Sequence, residues 1–130
     1  MKPPAGTTVI ATPLANCWLD SQLICVDNVN CDRSAGNVTI HYKILQGIVG
    51  KRKACWLKSF PTCEEFNAAV NRMAAVTLPE MCQAMAIVTT SEATMALTRS
   101  YRALNKTGVP VEVFENEEDA RKWLTMRCHL

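Results

Sequence analysis

The chain has 130 residues and a net charge of +2, and 48% of it is hydrophobic and 20% charged, fractions ordinary for a globular protein. That length suits one domain with a sizeable core. The charge is too small for a nucleic-acid surface. No apolar run is long enough to cross a bilayer, so no membrane insertion is expected. The first residues lack a hydrophobic signal core, which points to a cytoplasmic location.

Residues 1–15, with their prolines and threonines, read as a flexible tail, and residues 16–130 as a single domain. Cys17–Leu19 and Leu23–Val29 read as short strands, with Asp20, Ser21 and Gln22 as the hairpin turn. Asn37 caps a helix whose inner stripe is Ile40, Ile44, Leu45 and Ile48, and Gly50 closes it. Lys53–Lys58 is the next strand. Thr62 and Glu65 then stand at capping-box spacing, ahead of a helical face of Phe66, Val70, Met73 and Ala74 that ends at Leu78–Glu80. Ala84–Val88 is apolar without alternation, as suits an interior strand buried on both faces. Thr89 and Glu92 form a second capping box, and Ala93, Leu97, Tyr101 and Leu104 make the face behind it. Gly108 and Pro110 stop that helix. Val111, Val113 and Phe114 form a last strand. Asn116 caps the final helix, whose first turn holds Glu117, Glu118 and Asp119, where the helix dipole favours negative charge. The order ββαβαβαβα predicts an α/β fold: a mixed, mainly parallel sheet of roughly four to five strands with about four helices and right-handed crossovers.

The chain has seven cysteines and two histidines. The cysteine count is odd, no CxxC pair occurs, and Cys25 and Cys31 are the closest two. This is neither a zinc spacing nor a disulfide framework, so reduced thiols with no intrachain disulfide are expected. His41 sits within a helical pattern with no second ligand at helical spacing, and reads as structural. Asn28, Asn30 and Asp32 are oxygen-rich, but no calcium loop follows. Lys51, Arg52 and Lys53 read as a solvated link between helix and strand. No GxGxxG, Walker or GxSxG sequence occurs, and no cofactor or metal is expected.

One junction gathers candidate site residues: Lys58, Ser59, Thr62 and Cys63. A strand ends there and a helix starts, and ligands in open α/β sheets sit beyond the carboxyl ends of strands. Free N–H groups at a helix start favour anions, and Lys58 adds positive charge. The Cys63 thiol would feel the helix dipole, opposed by Glu64 and Glu65.

The order and lengths of these elements resemble the STAS-like superfamily, in particular its small bacterial single-domain proteins of unassigned function. The shared pattern runs through Ala86–Thr90, Leu104-Asn105-Lys106, Pro110–Phe114 and the FENEEDARKWL stretch over residues 114–124. The resemblance covers roughly residues 16–125. It implies a mixed sheet with helices packed on it, no cofactor and no established activity. In the anti-sigma-factor-antagonist branch, a phosphorylated serine at the strand-to-helix junction controls partner binding. The matching junction here is Lys58-Ser59-Phe60-Pro61-Thr62-Cys63. It lacks that branch's acidic residue and paired serines, and Lys58 stands near the acid's place. Other relatives by fold transfer lipids through an apolar cavity, which larger chains build.

The first functional reading is therefore a non-catalytic regulatory or protein-interaction domain, with a protein partner or a homodimer open. The alternative is a binder of a small anionic or lipid-like ligand, or a thiol-based enzyme using Cys63.

Overall fold

The side chains of each central strand alternate between two apolar layers, and that alternation fixes the architecture. The structure, a computed structural model, describes residues 1–29, 32, 34–60, 77–92, 95–96 and 108–129. Strands β1 (Ile10–Ala11), β2 (Ala15–Asp20), β3 (Leu23–Asn28), β4 (Ala54–Ser59), β5 (Cys82–Val88) and β6 (Val111–Phe114) lie in chain order in one six-stranded sheet. β1, β2 and β3 pair antiparallel, and β3 to β6 pair parallel. Helix α1 (Ala35–Val49) makes the crossover from β3 to β4, and α2 (Glu117–Cys128) follows β6. Parallel neighbours require such crossovers, whereas β2 and β3 need only the tight turn at Ser21 and Gln22. Ser21 takes a left-handed φ of 56° there.

Trp56, Ile24, Val26, Cys82, Met85 and Ile87 join Val38, Tyr42 and Leu45 of α1 in one buried cluster. Trp18, Leu23, Cys25, Leu57, Ala84 and Ala86 join Ala120 and Leu124 of α2 in the other. The helices thus cover opposite faces. β5 pairs on both edges and is interior, as its unbroken apolar run predicts.

Three expectations are corrected here. The sheet has six strands, because residues 10–11 pair with β2 instead of staying in a loose tail. Leu14, inside that supposed tail, is 0% exposed. Thr12 ties it down: its hydroxyl accepts from the Leu14 and Ala15 N–H groups at 3.1 and 3.0 Å and shares a 2.7 Å hydrogen bond with His41 Nδ1. Second, Ser34 and not Asn37 caps α1, its hydroxyl accepting from the Asn37 N–H at 3.2 Å. Third, the buried stripe of α1 is Val38, His41, Tyr42 and Leu45, and Ile40 is 49% exposed. Residues 38, 41, 42 and 45 keep the i, i+3, i+4, i+7 face; two polar-tipped members, His41 and Tyr42, hide it from a purely apolar reading.

α1 and α2 are described over their full spans, and residues 77–81, 92, 95 and 96 are also helical. The other helical stretches expected from the sequence, including the Thr62–Glu65 box and the faces built on Phe66 and Leu97, lie outside the described residues. The helical backbone at 81 abuts β5 at Cys82, a little later than the expected end at Leu78–Glu80.

Candidate functional site

The carboxyl ends of β3, β4, β5 and β6 meet on one edge, and polar groups knit it together. Asp27 and Ser59 are register partners across β3 and β4. The Ser59 hydroxyl donates to Asp27 Oδ1 at 2.5 Å, and Asn28 Nδ2 donates to the Ser59 carbonyl at 3.0 Å. The Phe60 N–H donates to the Val88 carbonyl at 3.2 Å, and the Thr89 N–H to the Phe114 carbonyl at 3.0 Å. Thr89 is buried, and its hydroxyl accepts from the Ser91 N–H at 3.2 Å. The Met95 N–H donates to the Ser91 carbonyl at 2.9 Å, so the turn after β5 closes around Ser91, and Thr89 supports it from two residues before.

Beside this edge opens a cleft of about 580 Å³, lined by Thr90, Glu92, Met95, Ala96 and Glu115. Met95 is buried, while Thr90, Glu92 and Glu115 are exposed. Among the described residues, the lining pairs apolar Met95 and Ala96 with two carboxylates and no cation, a combination that favours positive charge.

Of the junction residues, the structure describes Lys58 and Ser59; Thr62 and Cys63 lie outside the described residues. Ser59 stands at the edge, as expected. Lys58 does not offer its charge there. It is 4% exposed, and its ammonium lies 5.3 Å from the Trp56 ring centroid and 5.8 Å from those of Tyr42 and Phe60. Strand alternation explains this: Lys58 follows Trp56 onto the α1 face, while Ser59 points to the other side. The aromatic faces hold the cation in place of water. Sequence reasoning missed Asp27 as the partner of Ser59. The signal was there, since Asp27 interrupts an apolar strand, but its partner lies 32 positions away.

The described free cysteines, Cys17, Cys25 and Cys82, are buried. Burial pushes Cys17 and Cys25 up to about 11 and Cys82 up to about 12, so all three remain protonated thiols near neutrality. The expectation of no intrachain disulfide is overturned. Cys55 and Cys128 are bonded, with Cα atoms 6.6 Å apart and a sequence separation of 73. Spacing gives no hint of the pair, because Cys55 is the second residue of β4 and Cys128 ends α2, and only the folded sheet brings them together. Among the described residues no group of His, Cys, Asp and Glu could hold a metal ion, and no helix is long and apolar enough to cross a membrane.

No curated protein and no solved structure matches the chain. A family model described as a domain of unknown function (DUF7793) matches residues 34–127, from the cap of α1 to the last turn of α2, and the chain belongs to that family.

Proposed function

We propose that this domain is a non-catalytic interaction module, STAS-like in fold, whose carboxyl edge takes a basic segment of a protein partner. The observation that carries this reading is the cleft bounded by Glu92 and Glu115 over Met95 and Ala96. Its volume accommodates a few side chains, and its rim charge complements Lys or Arg. The same charge, with Lys58 turned under its aromatic rings, weighs against the anionic ligand first expected at the Ser59 end. A phosphate on Ser59 would break the bond to Asp27 and set a dianion against that carboxylate. The edge therefore serves as a fixed recognition surface, without the phosphorylation switch of the anti-sigma-factor antagonists. The alternation of strand and helix, and the folding of residues 114–124 into the end of β6 and the start of α2, support the STAS-like reading.

Amide NMR tests it. A Lys/Arg-rich peptide should shift Thr90, Glu92, Ala96 and Glu115, and the effect should fall with added salt. Glu92→Gln with Glu115→Gln should weaken binding roughly fivefold, the worth of two exposed charges. Equal binding of an Asp/Glu-rich peptide at the same residues, or shifts confined to another surface, would overturn the proposal.

A further inference from the structure

At the opposite, amino end of the parallel strands lies a second cleft, of about 360 Å³. Its wall includes both sulfur-bearing residues of the Cys55–Cys128 disulfide. Its rim carries Arg52 and Lys53 together with Ser21 and Gln22, and its described lining includes no carboxylate. Asp20, the nearest acid on the β2–β3 hairpin, faces an adjoining hollow, where it is paired with Arg121 at 2.9 Å. Gly50, at a φ of +70°, turns the chain out of α1 and sets the Lys51-Arg52-Lys53 cluster beside the cleft.

We propose that this cleft is a modification site, where an anionic low-molecular-weight thiol docks on Arg52 and Lys53 and exchanges with the Cys55–Cys128 disulfide. The geometry selects the sulfur attacked. Cys55 is 3% exposed, whereas Cys128, on the last turn of α2, is half-buried. The incoming thiol ionises, and its thiolate attacks Cys128 Sγ. The Cys55–Cys128 bond breaks, and its electron pair leaves on Cys55 Sγ, which takes up a proton. The products are a mixed disulfide on Cys128 and a Cys55 thiol. A second thiol attacking the mixed disulfide releases the small-molecule disulfide and leaves Cys128 reduced, so two thiols are oxidised as one protein disulfide is reduced. The cations act before the chemistry: they concentrate an anionic thiol at the cleft, and the same thiol without its carboxylates gains nothing. The consequence is structural, because exchange unpins the end of α2 from the start of β4.

The test treats the oxidised chain with glutathione, 2-mercaptoethanol and cysteamine. Each rate is normalised to that thiol's rate on a small neutral disulfide, and adducts are located by peptide mass spectrometry. Glutathione should react about tenfold faster than 2-mercaptoethanol, within the range of electrostatic focusing, and cysteamine slowest. The adduct should sit on Cys128. Arg52→Gln with Lys53→Gln, both exposed positions, should bring the glutathione rate down to that of 2-mercaptoethanol while circular dichroism stays unchanged. Equal rates for the three thiols, an adduct on Cys55, a preference that survives the double variant, or Cys55 and Cys128 both recovered as free thiols from protein alkylated at lysis would overturn the proposal.

Discussion

On the α1 face the sheet offers Trp56, Ile24, Met85 and Ile87, and the helix meets them with Val38, Tyr42 and Leu45. On the α2 face it offers Ala84 and Ala86 beside Leu57, and the helix meets them with Ala120 and Leu124. Among the described residues, large side chains stand in a thick layer between the sheet and α1 on the first face, whereas on the second Ala84 and Ala86 of β5 let α2 lie close, with Trp18 and Leu23 completing the layer on β2 and β3. The first layer also holds polar groups that its bulk can shelter: His41, bonded to Thr12, and Lys58, under three rings. Among the described residues the second cluster is the smaller, and it carries the disulfide from Cys55 to the end of α2 and the Arg121 ion pair to Asp20. A thin layer gains less from burial, so a covalent staple adds proportionately more there.

The largest expected effect breaks the thick layer. Trp56 is 0% exposed, and its indole N–H donates to the Met81 carbonyl at 3.3 Å. Trp56→Ala leaves a cavity, orphans that carbonyl and strips the nearest ring from Lys58. The expected cost is about 3–5 kcal/mol, read as a lower urea midpoint at unchanged slope. A loss below about 1 kcal/mol would mean that Trp56 is not the centre of that layer.

Much of this division was legible in the sequence, and the rest was not for physical reasons. The run at Ala84–Val88, the Asn116 cap and the Gly50 stop are local signals, and each falls where it was read. The strand β1 was not legible, because two residues carry no periodicity and depend on pairing with β2. The burial of Lys58 follows from register, which a reading of local charge does not weigh. The Ser59–Asp27 bond and the Cys55–Cys128 link join positions far apart in sequence, and only topology brings them together. Ser59 ends β4 at the junction where the strand reading put it, whereas the cleft beside that edge is lined by Thr90, Glu92, Met95, Ala96 and Glu115, which no local motif singles out.

A smaller effect sharpens the contrast from the thin side. Ala86 is 0% exposed, between β4 and β6 and beneath α2. Ala86→Leu adds volume where the helix lies closest, and should cost about 1–3 kcal/mol by overpacking. On the thick side, Met85→Leu conserves volume and should cost under about 1.5 kcal/mol. Paired urea titrations decide it: an Ala86→Leu chain as stable as the parent would mean that α2 does not depend on small residues beneath it.

The smallest effect is a pH dependence on the α1 face. Burial pushes the Cys82 thiol up to about 12 from an ordinary 9.0, against the opposing pull of Lys58. The folded chain thus keeps a proton that the unfolded chain gives up. Below pH 9 both states hold it, and stability is undiminished. Between pH 9 and pH 12 only the unfolded state loses it, so stability falls by up to about 1.4 kcal/mol per pH unit from this group. Cys82→Ala removes that share. Urea unfolding at pH 8 and pH 10 should show the variant losing about 1 kcal/mol less than the parent over that interval. Other groups that ionise in this interval are common to both chains and cancel in the difference. Parallel losses in parent and variant would place the Cys82 thiol in contact with water and remove it from the sheltered layer.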